Sequence, residues 1–443
     1  MRWSRRFRSL RLNPISDPNV IDRPAMSRYR WVICALLFAA TSINYVDRQI
    51  IGVLKPTLQH EYGWTESSYS DVIFWFQAAY ALGYLGFGRL IDKIGARLGY
   101  ATVVVLWTAA HIAHAFVSTI GGFIAVRFAL GFGESGNFPA ALKAIAEWFP
   151  KSERAFATGI FNAGSNIGAI LTPLIVPGIT LAMGWRAAFV VTGSFSLVWL
   201  VVWLKVYRQP SVHPRVNREE LTFITSDPSA NGERISWRRL LRVRETWAYA
   251  TARFLIDPIW WMFLFWLPDF FAKRYSLDLR NFGPPLVVVY AVSDIGSIAG
   301  GLMSSKLIRL RVNLNSARKL TMLLASVLVF PVMFAMYADN LWMAVALVGM
   351  ATAGHQAFSV NLYTFPSDVF PKQAVASVVG IGGTAGAVGG MLMAKYAGWV
   401  LDAVGTYTPI FIVAAAAYWL ALAALQFLAP RMNAVALGHG KIQ

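Results

Sequence analysis

The sequence predicts an all-α polytopic membrane protein with twelve transmembrane helices in two pseudo-symmetric six-helix bundles. Three observations carry that reading. The 443 residues are 56% hydrophobic and only 14% charged, whereas soluble domains carry roughly a quarter charged residues. Apolar runs recur from Trp31 to Pro430, each of the roughly 20 residues needed to cross a hydrocarbon core about 30 Å thick. The basic residues also alternate between the two ends of these runs.

In chain order the spans fall near residues 31–54, 69–91, 98–117, 121–146, 155–180, 186–207, 248–267, 283–303, 319–337, 341–365, 374–400 and 407–429. Several hold clustered small residues, as in "NAGSNIGAILTPLIVP" and "GIGGTAGAVGGMLMA", which let membrane helices approach closely. A β-barrel would show alternating segments of about ten residues instead. The longest polar interruption, Arg208 to Glu245, splits the spans into six and six. The expected parts are an N-terminal arm over 1–30, a bundle over 31–207, a linker over 208–247, a second bundle over 248–429 and a tail over 430–443.

The net charge of +18 raises nucleic-acid binding, and its distribution removes the need for it. Placing the N-terminus in the cytoplasm leaves the outward loops only Lys55, Arg186, Lys273, Arg274 and Arg280 of the 40 Lys and Arg. Most of the rest fall on inward segments, as the positive-inside rule requires when both termini are cytoplasmic. The leader "MRWSRRFRSLRLNP" lacks a signal peptide's apolar stretch and cleavage site and reads as a cytoplasmic arm. Cys34 is the single cysteine, so disulfides and thiolate metal sites are excluded. Six scattered histidines make no clustered catalytic or metal set. The expectation is therefore a non-enzyme without cofactor or metal, a monomer whose partners are the lipid bilayer, protons and a small organic anion.

An internal repeat supports the two halves. The segment from Glu147, "EWFPKSERAFATGIFNAGSNIGA", aligns without gaps to the one from Asp368, "DVFPKQAVASVVGIGGTAGAVGG", sharing the FPK corner, Gly159/Gly380 and Gly168/Gly389. Repeats related by an axis along the membrane normal are a transporter architecture with substrate bound between them.

Charges inside spans are costly and by default mark a substrate or proton path. Asp47 lies about 10 Å and Arg127 roughly 9 Å from the outer surface at 1.5 Å per residue, so depth matching pairs them. Glu134, seven residues after Arg127, returns to within about 20° of the same helix face. Desolvation opposes a charge on Glu134 while a neighbouring guanidinium favours it, so this carboxylate is poised to exchange a proton; the alternative is a static ion pair between the first and fourth spans. Arg48 projects about 100° away from Asp47, leaving its planar fork free for a carboxylate. Tyr45 and Tyr80 offer hydroxyls, and Trp260 and Trp261 offer flat faces to a sugar ring. Asp257 follows Arg253 at i,i+4, a pair that is also a plain structural bridge. Asp294 is open to three readings: proton sensor, hydroxyl ligand or helix tie. His355 reads as structural.

The corner "GRLIDKIGAR", with Gly88, Asp92, Lys93, Gly95 and Arg97, resembles the signature loop of the major facilitator superfamily, a gating charge latch on a tight glycine turn. Its second-half counterpart has Ser304 and Ser305 where an acid is expected. "INYVDR" and "RFALGFGESGNFPAALKAIAEWFPKSERA" look like the anion:cation symporter family, and "FLIDPIWWMFLFWLP", "YAVSDIGSIAGG" and "NSARK" look like its bacterial hexuronate branch. This resemblance implies proton-coupled import of glucuronate or galacturonate across a bacterial inner membrane. It assigns proton coupling to Asp47 and Glu134, their linkage to Arg127 and carboxylate binding to Arg48. Asn166, Gln356 and Asn361 fit the polar contacts to hydroxyls expected from its fifth and tenth spans. Other organic carboxylates remain open as substrates. A proton-antiport exporter is disfavoured, because the fifth span has Gly164, Gly168 and Pro173 but no adjacent Gly-Pro.

Overall fold

In a bilayer the backbone has to close its own hydrogen bonds, so apolar runs of span length become helices. The computed structural model describes residues 26–226 and 236–435, and among these it is helical with no strand. Most of the N-terminal arm, the middle of the linker and the tail beyond Val435 lie outside the described residues.

α1 (Tyr29–Tyr62) ends on Gly63 at φ 64°, the left-handed cap that glycine adopts without a Cβ penalty. α2 (Glu66–Ala113) starts where Thr65 accepts from the Ser68 amide and breaks into two rods at Gly95, φ 82°. α3 (Ile120–Glu134) and α4 (Asn137–Trp148) form one interrupted rod. α5 (Lys151–Met183) and α6 (Trp185–Val206) are joined by Gly184 at φ 84°. The short α7 (Arg218–Ile224) and α8 (Trp237–Leu240) belong to the linker. α9 (Arg244–Tyr275), α10 (Gly283–Arg309) and α11 (Leu314–Val329, continued by 3-10 turns over Phe330–Tyr337) follow. α12 (Leu341–Val369), α13 (Lys372–Ala403) and α14 (Thr408–Leu428) complete the set.

The described helices thus supply twelve rods, six before α7 and six after α8. Among the described residues, ten helices are long and apolar enough to cross a membrane. The first rod of α2 and the broken α3–α4 rod fall outside that number. Large apolar side chains such as Val198, Leu328, Trp399 and Leu420 face outward, as lipid contact requires.

The repeat reappears in the geometry. Pro150 and Pro371 open α5 and α13 with nearly equal dihedrals, φ −65° and ψ 157° against φ −62° and ψ 149°. A Cβ on Gly168 would fall on the carbonyl of Ser42 in α1, and one on Gly389 on the carbonyl of Phe254 in α9. The matched glycines therefore do the same work, bringing α5 against α1 and α13 against α9.

The two bundles meet through α1–α9, α2–α13 and α5–α10. We call the end bearing Tyr29 and Leu428 the terminal end and the other the distal end. At the distal end, Lys55 bridges Glu66 at 2.6 Å and Asp269 at 2.7 Å across the seam. Lys273 pairs with Glu66 and lies 3.1 Å from Asp269, and Tyr407 donates to Asp269. Asp402 accepts from the amides of Glu66 and Ser67, and Lys395 pairs with Asp71. These ties hold the distal ends together. At the terminal end Arg30 binds Glu153 and Glu220, fastening α7 to the first bundle.

Candidate functional site

The middle of α1 carries Asn44, Asp47, Arg48 and Gln49, all buried among helices. Arg48 Nε donates to Glu134 Oε2 at 2.7 Å, and Nη2 donates to Asn44 Oδ1 at 3.1 Å. The guanidinium is walled by the rings of Tyr45, Tyr80, Trp261 and Phe76 at 4.5, 5.0, 5.1 and 5.8 Å. Aromatic faces attract a cation that has lost its water. Arg127 donates from Nη2 to the Arg48 carbonyl at 2.9 Å and lies 4.9 Å from the Phe76 ring. Its Nε and Nη1, and Oε1 of Glu134, have no protein hydrogen-bond partner. Two buried guanidinium groups thus stand around one buried carboxylate.

Asp47 does not meet Arg127, contrary to the depth argument. Ser196 Oγ donates to its Oδ2 at 3.0 Å, and His111 Nε2 stands 3.2 Å from Oδ1. Depth was matched but azimuth was not: Asp47 faces α6 and the second rod of α2, while Arg127 reaches the backbone one residue on. Arg48 in turn is engaged by Glu134 rather than left unpaired. His111 and Ser196 are the residues that sequence reasoning missed. The histidines in "AAHIAH" were the available signal, since ionisable groups inside a span are rarely idle.

A second cluster spans the seam. Asn166 on α5 donates to Asp294 on α10, and Gln356 on α12 donates to Asn166 Oδ1 at 3.3 Å. Asp294 is thus a cross-bundle partner. Trp260 stacks on His355 with ring centroids 5.1 Å apart, and His355 is held by Tyr418 at 2.6 Å and Ser359 at 3.2 Å. Arg253 and Asp257 form the i,i+4 pair at 2.6 Å, joined by Tyr249.

Asn361 lies apart from the seam. Its amide donates to the carbonyls of Gly300 and Ala357, and its Oδ1 accepts from Arg318 at 3.3 Å. Arg318 also binds Asp368 and Ser304, so an arginine on α11 ties one of the two serines at the second-half corner to the end of α12. In the first bundle Asp92 lies 3.5 Å from Lys143 on α4. Arg97 donates to the Leu204 carbonyl, and its own carbonyl accepts from Trp203. Lys93 is exposed, and space surrounds Gly88.

The match that decides the family covers most of both bundles: the Major Facilitator Superfamily profile fits residues 37–394. The chain belongs to the major facilitator superfamily. It is a multi-pass membrane transporter and not an enzyme. It is 33% identical over 393 residues to the hexuronate transporter of Escherichia coli (strain K12), covering 87% of this chain and 90% of that one. It is 35% identical over 305 residues to the galacturonate transporter of Dickeya chrysanthemi, covering 68% and 88%. A solved bacterial homolog of the human lysosomal transporter Spinster, inward-facing and occupied, superposes with a TM-score of 0.70 at 15% identity, covering 91% of this chain and 96% of that one. The last likeness concerns the fold of the transporter alone.

Proposed function

We propose that this transporter is a proton-coupled symporter importing a sugar-acid anion, a hexuronate such as glucuronate or galacturonate, by alternating access. The observation that carries the reading is the buried pair of Arg48 and Glu134 inside an aromatic box. Protonating Glu134 would release the guanidinium to take the substrate carboxylate in its place, so proton and anion bind together. Arg127, with two unpartnered donors, keeps positive charge beside Glu134 throughout. Asp47 is the second proton site. Tyr45, Tyr80, Trp260 and Trp261 would flank the sugar ring, and Asn166 and Gln356 would meet hydroxyls from across the seam. The relatives named for hexuronate and galacturonate transport support the substrate class.

The basic segments favour an inner-membrane protein with twelve crossings, both termini in the cytoplasm and the parts bounded near 30, 207, 247 and 429. The distal end is then external, and the charge ties there describe a chain closed to the outside. The superfamily loop at Asp92, Lys93 and Arg97 would act as the internal latch, and the working unit is a monomer. A panel of labelled acids tests the substrate. Saturable uptake of glucuronate or galacturonate by proteoliposomes is expected; uptake of another acid with neither hexuronate transported would overturn the assignment.

A further inference from the structure

Two buried histidines stand between Asp47 and the distal loop, and the substrate seam uses neither. His111 and His114 lie one turn apart at the end of α2, with ring centroids 6.2 Å apart and no exposure. His114 opens the 3-10 turn His114–Phe116 that closes the second rod of α2, so it lies at the distal end of that rod.

Their hydrogen bonds fix the tautomers. Thr192 Oγ1 donates its only proton to the Ala188 carbonyl at 2.8 Å, so at its 2.8 Å contact with His111 Nε2 it accepts. His111 Nε2 therefore carries hydrogen, directed at Thr192 with Asp47 Oδ1 3.2 Å away. His114 Nδ1 faces the carbonyls of Ala110 and His111 at 2.8 and 3.2 Å and is likewise the N–H. The two remaining ring nitrogens, His111 Nδ1 and His114 Nε2, are buried without a partner. Buried polar atoms are seldom left so, and the ring spacing suits one bridging water.

We infer that His114 and His111 form a proton-exchange path linking Asp47 to the distal surface, separate from the route taken by the anion. His114 takes a proton at Nε2, keeps its Nδ1–H on the carbonyls and hands the Nε2 proton through water to His111 Nδ1, whereupon the His111 Nε2 proton passes to Asp47 Oδ1. The ring is neutral before and after, and the carboxylate is neutralised. The transfer leaves the His111 ring as its Nδ1–H tautomer, which returns to the Nε2–H form by giving the Nδ1 proton to water and taking one from water at Nε2. The charges a proton meets there are Asp47 from α1 and Arg127 and Glu134 from α3. From α6 come Thr192, Ser196 and Phe189, all uncharged, with Phe189 stacked on His114 at 4.9 Å. The path gives Asp47 a proton supply that stays connected to the exterior while the distal ties of Lys55 and Asp269 close the seam.

This inference rests on the proton-coupled reading, and the test separates the two. His111→Gln and His114→Asn keep a polar side chain but cannot carry a proton. Both variants, and wild type, are reconstituted and assayed for gradient-driven hexuronate uptake across external pH and for counterflow at equal pH. Each variant is expected to lose about tenfold in gradient-driven uptake, flatten the pH profile and continue counterflow. The double variant should be no worse than His111→Gln alone, because one path is cut once. Wild-type uptake and pH profile in both variants would overturn the path while leaving the symporter reading intact. Parallel loss of counterflow would make the histidines structural and also overturn it. If His111→Gln fails to fold, His114→Asn decides by the same outcomes. A wild type that accumulates hexuronate without any pH response would sink the coupling itself.

Discussion

Arg48 Nε lies 2.7 Å from Glu134 Oε2, with the side chains 3% and 0% exposed. A buried ion pair is a poor source of stability, because desolvation consumes most of its attraction, yet breaking it by removing one partner costs about 3–5 kcal/mol. Such a pair is well suited to exchange partners: protonation or an incoming carboxylate can replace one bond with another of similar strength.

Glu134→Gln removes the exchangeable proton and keeps the side chain's shape. Gradient-driven accumulation should disappear while substrate counterflow persists. Accumulation at the wild-type level would remove Glu134 from coupling.

Arg48→Lys keeps the charge but replaces the planar fork with a point donor that cannot bind a carboxylate bidentately. The apparent KM in counterflow should rise by about tenfold, equivalent to about 1.4 kcal/mol. An unchanged KM would argue that the carboxylate docks elsewhere.

The distal ties predict both a conformational and a pH response. Lys55→Met removes the 2.7 Å ammonium partner of Asp269 and leaves it only Lys273 at 3.1 Å, so the closed seam should loosen. A cysteine placed at Gln77, buried against Gly390 where α2 meets α13, should then react faster with an impermeant maleimide added from the distal side; the native Cys34 is buried and gives little background. Glu66 sits in the first turn of α2, ahead of the apolar stretch. Burial opposes its charge, but Lys55 and Lys273 outweigh it and hold the carboxyl near about 2, below the ordinary 4.5. A depressed value means that the stabilisation is complete above the ordinary value and is lost as pH falls through the folded one. Thermal melting should therefore show no contribution from Glu66 titration between pH 7 and 5, and a loss of stability between about pH 4.5 and 2 that Glu66→Gln abolishes.

Asn166 and Asn361 separate two roles. Asn166→Ala should raise KM with little change in melting temperature, because it faces the seam. Asn361→Ala should lower the melting temperature with KM unchanged, because it strips the Arg318 guanidinium of an acceptor and removes the amide's bonds to two helix carbonyls, worth about 1–3 kcal/mol. KM and melting curves for the two variants decide it.

The helical layout was legible because hydropathy and lipid leave the backbone one solution. The glycine at 95 announced a corner, and the FPK repeat announced matched starts at Pro150 and Pro371. The interruption at Ser135 and Gly136 was not legible, since it depends on α3 and α4 packing against other rods. Depth could be read from helical rise, so Asp47 and Arg127 were placed near one level and Glu134 about 10 Å deeper. Azimuth could not, because it depends on which helix stands beside which, and that is why Asp47 turned out to face His111. The distal charges were visible only as outward residues; that Lys55 and Asp269 meet required the two bundles to be assembled.

The measurement closest to the central claim is internal pH in proteoliposomes carrying a trapped pH dye, with glucuronate or galacturonate added outside in Na⁺-free buffer. Anion-dependent acidification of the lumen, saturating with substrate and absent in Glu134→Gln, is the expected result. Substrate accumulation with no acidification, or an absolute requirement for Na⁺, would contradict proton symport.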